Sequence, residues 1–153
     1  MNRWARIVLA LAALATLAWA GAGEMGRSVV DDATLAQHTL ASFLVLLALV
    51  LTHGWVAVFS LVSNRLVGRR VALDAEARRD LAGARRVACV AACVAVAAAL
   101  AQFLVSNALY PARLVARPHA MLGWATTAAL VLAWLAELRA LTRHGRVLAR
   151  VQE

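Results

Sequence analysis

Charge is missing from most of this chain. Four blocks contain no Asp, Glu, Lys or Arg: Ile7–Gly23, Ala33–Asn64, Val87–Ala112 and Pro118–Ala136. Lysine is missing altogether, so all 16 basic residues are arginine. Cysteine is scarce: Cys89 and Cys93 stand four apart in one apolar block, and no CxxC pair exists to suggest structural zinc. A disulfide between them would constrain almost nothing, so both are expected as small packing residues, with Cu(I) ligation alongside a histidine as the functional alternative. The sequence also lacks a Walker motif, a nucleophile elbow, an HExxH pair and a dinucleotide fingerprint. The segments between the blocks are too short for a soluble catalytic domain, so no catalytic activity is expected of the chain by itself. There is no internal repeat and no low-complexity linker.

What the chain does have is apolar length. Hydrophobic residues make up 63% of its 153 positions, against ~45–50% in ordinary soluble domains. A hydrocarbon core is crossed by about 20 apolar residues in a helix. The first and last blocks are near that limit; the second and third exceed it and are expected to tilt or protrude. The blocks read as apolar all round, as lipid-facing helices do. Transmembrane strands would be shorter and would alternate in polarity. The expected fold is therefore all-α: a polytopic membrane protein forming a four-transmembrane-helix up-down bundle, in one domain spanning 1–153. The helices are expected at about 5–22, 34–62, 84–107 and 118–142, joined by a cytoplasmic amphipathic connection at about 66–84.

A net charge of +8 raises the question of nucleic acid, but the placement of the arginines answers it differently. Arg3 and Arg6, the seven arginines from Arg65 to Arg86, and Arg139, Arg143, Arg146 and Arg150 fall on one side of such a bundle. Only Arg27, Arg113 and Arg117 fall on the other. The positive-inside rule puts both termini in the cytoplasm and accounts for the charge without nucleic acid. The partners expected are the lipid bilayer and other membrane subunits or further copies of the chain.

Local signals refine the helix ends. Asn2–Arg6, the apolar run Ile7–Leu17 and Ala18-Trp19-Ala20 also fit a signal peptide, though bulky Trp19 favours a retained helix. Asp31 and Asp32 suit the start of the second helix, and Ser63-Asn64 its close. Asp74 is a plausible N-cap. Around it, Leu73, Ala77, Leu81, Ala84 and Ala88 keep helical spacing, which predicts an amphipathic helix on the membrane surface running into helix three. Alanines Ala91, Ala92, Ala95, Ala97–Ala99 and Ala101 permit close helix contact. Pro118 suits the first turn of helix four. Trp4, Trp19 and Tyr110 are placed as interfacial aromatics.

Polar groups inside hydrocarbon are the first candidates for function. His38 and His119 each lie near the start of a span, on helices running the same way, at similar depth near the outer face. Two such imidazoles are what axial ligation of haem b needs. Arg113 and Arg117 are placed to pair with haem propionates, and Gly123 to leave room for the porphyrin face. The alternatives are another metal held by His38 and His119 and, more blandly, a pair of interfacial histidines. His53 is the deepest ionisable group, 15 residues past His38 and so about 22 Å further along the helix. A second bis-His haem lacks a partner, because the matching depth on helix four is Trp134–Glu137 and His144 lies beyond the apolar block. His53 is left to hydrogen-bond Glu137 or Thr52, or to serve a proton or quinone site. Glu137 is expected to pair with Arg139 or Arg86, with a proton-carrying role as the alternative. Gln102 is expected to hydrogen-bond a neighbouring helix.

Leu51–Val67, LTHGWVAVFSLVSNRLV, resembles the second-helix signature of small four-span bacterial inner-membrane proteins: a His, an aromatic-rich run, a small-polar step and a basic turn. Pro118–Val147 is similar to their fourth helix, and the likeness covers roughly Gln37–Val151. The usual Gly-Thr-Gly step stands here as Ser63-Asn64. The resemblance implies topology and a bacterial inner-membrane location, and no activity. The histidine placement is more loosely similar to four-helix b-type cytochromes, without their full ligand set. Three functions follow as expectations: a haem-b electron-transfer subunit or membrane anchor, a non-catalytic accessory or scaffold subunit of a larger membrane complex, and a transporter or channel subunit using His53 and Glu137.

Overall fold

The computed structural model describes residues 3–25, 32–70, 73–108 and 116–152, and side chains for 3–21, 36–37, 39–63, 73–106, 121–147 and 149. Each of the four described segments is helical: α1 (Arg3–Met25), α2 (Asp32–Arg70), α3 (Ala75–Ala108) and α4 (Ala116–Gln152). Each holds a stretch long and apolar enough to cross a bilayer: Arg3–Gly21, Thr39–Ser63, Ala75–Ser106 and Met121–Val147. The chain is a multi-pass membrane protein with a four-helix bundle fold.

Short connections force neighbouring helices to run antiparallel. α1 packs on α2, α2 on α3, α3 on α4, and α4 closes back on α1. Two helix pairs therefore face each other across diagonals: α1 with α3, and α2 with α4. The up-down order also gathers the starts of α1 and α3 and the ends of α2 and α4, with their arginines, at one end of the bundle.

The helices are not apolar all round in the packed structure. Their buried positions follow alternating steps of three and four, the seam of a left-handed helical bundle. On α2 the seam is Leu46, Leu49, His53, Val56 and Ser60; on α4 it is Thr126, Leu130, Ala133, Glu137, Ala140 and His144. α1 contributes Ala5, Leu9, Ala12, Thr16 and Trp19, and α3 an alanine row from Ala84 to Ala99. Alanine and polar side chains thus share the inside with large apolar ones such as Leu49, Leu130 and Val56. Other large apolar side chains, such as Leu14, Leu17, Leu51, Val90, Leu104 and Leu132, stand more than half exposed on the outside. That mixture is what a hydrocarbon solvent produces: lipid accepts Leu and Val as readily as a core does, so close backbone contact and interhelical hydrogen bonds decide what faces inward. Of the α3 alanines, Ala91, Ala92, Ala95 and Ala99 are buried, whereas Ala97 and Ala101 face out.

Several sequence expectations change here. α2 does not close at Ser63-Asn64 but continues to Arg70, because nothing in those residues interrupts backbone hydrogen bonding. Beyond Asp74 there is no separate surface helix. Residues 75–108 form one continuous α3, and the Leu81, Ala84, Ala88 stripe is buried against the other helices rather than laid on a membrane surface. Asp74 does cap α3: its Oδ1 accepts the Ala77 N–H at 2.6 Å, and its carbonyl accepts the Arg78 N–H at 3.1 Å. Trp4 is exposed, as an interfacial residue should be, but Trp19 is buried in the bundle. Tyr110 and Asp31 lie outside the described residues, as does the Asp32 side chain. Cys93 is exposed and Cys89 partly so, both on the outer side of α3 rather than in its packed row.

Candidate functional site

Polar bridges cross the bundle on its diagonals. Nearest the end opposite the arginines, Trp19 Nε1 of α1 donates to Gln102 Oε1 of α3 at 2.9 Å. Thr16 and Thr126 are buried on the neighbouring turns of α1 and α4. Deeper, His53 Nδ1 of α2 meets Glu137 Oε1 of α4 at 2.8 Å. Toward the arginine-rich end, Ser63 Oγ of α2 and His144 Nε2 of α4 are 3.1 Å apart. A fourth bridge links neighbours, Trp134 Nε1 of α4 donating to the Leu9 carbonyl of α1 at 2.8 Å.

The His53–Glu137 pair is the most secluded of these, with both side chains 0% exposed. It sits between two apolar clusters. Leu49, Ala91, Leu130 and Ala133 belong to the cluster above it; Leu9, Val56, Ala88 and Ala140 belong to the one below. On α2, the neighbouring Thr52 hydroxyl is spent on the Ala48 and Leu49 carbonyls. Among the described residues, His53 Nε2 and Glu137 Oε2 have no hydrogen-bond partner. A buried polar atom without a partner costs free energy, and a native structure that keeps two of them on one pair needs a reason. An isolated ion here would be far more costly, so the pair is held together by mutual neutralisation. One proton occupies the Nδ1–Oε1 bond. Gaining or losing another at Nε2 or Oε2 changes the net charge inside hydrocarbon by one.

This geometry corrects the pairing expected for Glu137. Neither Arg139 nor Arg86 reaches it; Arg139 is exposed on the far side of the helix turn and His53 takes the carboxylate instead. The matching of depths had pointed to Trp134–Glu137 opposite His53, and that is where the partner lies. His144 is also not left outside among the arginines. It is buried, bonded to Ser63, and set edge-on to Phe59, with ring centroids 6.3 Å apart. Phe59 in turn stacks on Trp55. The signal that would have found His144 is its place seven residues after Glu137 on the α4 seam. Gln102 bonds a neighbouring helix as expected, with Trp19 as the partner that sequence reading missed.

At the arginine-rich end Arg143 pairs with Asp80 of α3. Asp80, Arg143, Arg146 and Val147 line an open cavity of about 360 Å³ there, one turn from His144. At the opposite end, His38, His119 and Arg117 lie on α2 and α4 but their side chains are outside the described set, and Arg113 is outside it altogether. Gly123 faces Gln102: a Cβ there would stand 3.5 Å from Gln102 Nε2. Among the described residues no three His, Cys, Asp or Glu side chains converge as a metal site.

Comparison with protein-family models, curated proteins and solved structures returns no match for the chain.

Proposed function

We propose that this protein is a proton-carrying membrane subunit, in which His53 and Glu137 take up and release a proton within the bilayer on behalf of a larger membrane assembly. One observation carries the reading: a fully buried His–Glu pair bridges the bundle diagonal while Nε2 and Oε2 stay unpartnered. A pair retained for stability alone is poorly explained, since apolar residues of similar volume commonly hold a helix interface at no greater cost. Ionisable groups inside a membrane domain are by default functional. The arginine asymmetry and the resemblance to small bacterial four-span proteins support a bacterial inner membrane, with both termini in the cytoplasm.

The test is infrared difference spectroscopy on the reconstituted full chain, with the protonated-carboxyl stretch of Glu137 assigned by its loss in Glu137→Gln. The stretch is expected to appear and vanish as the pH is taken over a range from acid to alkaline, while the pair gains and loses its proton. A Glu137 carboxyl that keeps one protonation state across that range overturns the proposal.

A second reading is a b-type haem at the outer end, with His38 and His119 as axial ligands and Arg113 and Arg117 on the propionates. The parallel course of α2 and α4 supports it, because both residues fall in the outer turns of helices that face each other. The Trp19–Gln102 bridge weighs against it. Gln102 is level with Gly123, so His119 stands only about 6 Å above a bridge that crosses the axis a porphyrin would occupy. A reduced-minus-oxidised spectrum without haem bands removes this reading and leaves the first untouched.

A further inference from the structure

Polar groups are unevenly placed along the bundle axis. Below His53, toward the arginine-rich end, buried Ser60 follows one heptad along α2, and buried His144 follows Glu137 by one heptad along α4. Each step is a rise of about 10 Å. One apolar layer, Val56 and Ala140, lies between. Past Ser63 and His144 the axis reaches the Asp80–Arg143 pair and the open cavity. In the other direction Leu49, Leu46, Ala133 and Leu130 stand before the next polar seam residue of α4, Thr126, about 16 Å above Glu137. The shorter and wetter side is the arginine-rich one.

We propose that His144 and Ser63 form a second proton-binding site, which loads the His53–Glu137 pair from the arginine-rich face. This rests on the proton-carrying reading of that pair. His144 is suited to the task by its own chemistry. Imidazole accepts a proton at one ring nitrogen and releases it from the other, so it passes a proton inward and returns to its neutral form. A hydronium ion at the cavity gives its proton to the His144 ring and becomes water. The imidazolium then gives a proton to a water admitted across the Val56 and Ala140 layer, and that water passes a proton on to the His53–Glu137 pair, whose charge rises by one. No oxidant or reductant is involved. Ser63 fixes the ring through Nε2, and the edge of Phe59 packs against it, so the ring is held in one orientation.

The charged groups around the two sites differ as this scheme requires. Toward His144, α4 brings Arg143 and Arg146, α3 brings Asp80 paired with Arg143, and α1 brings Arg3 and Arg6 to the same end; α2 faces it with Ser63 and Phe59. Toward Glu137, α2 presents His53, and the buried residues of α1 and α3 at that level are Leu9, Ala12, Ala88 and Ala91. The inner pair thus exchanges protons only with what the axis delivers, whereas His144 sits beside a charged, open end.

The experiment uses the full chain in sealed vesicles of known orientation, with the pH stepped on one side at a time and the Glu137 carboxyl stretch followed in time. A step on the arginine-rich side is expected to change the stretch at least tenfold faster than the same step on the other side. His144→Gln, which keeps a hydrogen-bonding partner for Ser63 but carries no proton, is expected to slow that response at least tenfold without lowering its final amplitude. Ser63→Ala, which leaves the imidazole in place, should slow it less. Equal or faster response from the opposite side overturns the proposal, as does an unchanged rate in His144→Gln. A Glu137 stretch insensitive to pH on both sides is a different result: it removes the proton-carrying reading itself.

Discussion

The indole N–H of Trp19 on α1 donates to the side-chain oxygen of Gln102 on α3 across the bundle, at 2.9 Å. Both groups are otherwise surrounded by Ala15, Leu46, Ala95, Ala99 and their neighbours, so each is the other's means of avoiding an unpaired polar atom in an apolar cluster. Interhelical hydrogen bonds in membranes average well under 2 kcal/mol. Gln102→Leu is therefore expected to cost about 1–2 kcal/mol, and Trp19→Phe a similar amount. The double variant should cost clearly less than their sum, because it removes both orphans together. Unfolding of the reconstituted protein measures all three. Strict additivity would show that the bond contributes no coupling.

The same logic at His53 and Glu137 separates stability from function. Removing one partner leaves the other buried without compensation, so Glu137→Leu or His53→Leu alone is expected to destabilise by roughly 3–5 kcal/mol. The double variant, with Leu at both positions, is expected to recover most of that loss or to exceed the parent in stability. It should nevertheless lose all pH-dependent proton uptake at this site. A double variant as unstable as the single ones would mean that the pair is retained for packing.

How much of this was legible in the sequence depends on what each residue's solvent is. The four spans were written in uncharged length, and Asp74 in its position ahead of an acidic first turn. The depth of Glu137 opposite His53 followed from helix rise alone. The inward face was harder to see. In a soluble bundle large apolar residues mark the seam alone, but here they lie on both sides of α2: Leu46, Leu49 and Val56 face the axis beside His53 and Ser60, while Leu47, Leu51 and Val58 face outward. A hydrophobicity pattern is therefore nearly flat along α2, and His144 looked like part of the arginine-rich tail. Trp19 misled for a related reason. Tryptophan favours interfaces because it has one polar atom, and a half-buried Gln102 meets that need as well as a headgroup does.

Asp74 offers a test of local structure outside the apolar spans. Its carboxylate accepts the Ala77 N–H at 2.6 Å at the start of α3. Replacing an aspartate N-cap by alanine typically costs about 1 kcal/mol. Asp74→Ala is expected to lower hydrogen-exchange protection at the Ala77 and Arg78 amides by roughly fivefold, in line with about 1 kcal/mol. Protection beyond Leu81, where α3 is buried in the bundle, should be unchanged. Uniform loss along α3 would mean that the cap holds the helix in place and not merely its first turn.

Leu49 and Leu130 are both wholly buried and belong to the apolar cluster above the His–Glu pair, between it and the Trp19–Gln102 level. If that cluster keeps the pair from the outer face, thinning it should have two consequences that pure destabilisation would not produce together. Leu49→Ala removes about three carbons from a filled layer, a change that costs roughly 2–5 kcal/mol in soluble cores, with a smaller loss expected here because the helices can close on each other in lipid. In the one-sided pH-step experiment, the same variant should speed the response from the outer side severalfold and leave the response from the arginine-rich side as it was. Leu49→Met, which keeps the volume, should restore the barrier. Equal acceleration from both faces would indicate general loosening of the bundle, and no acceleration from the outer face would show that the barrier lies elsewhere along the axis.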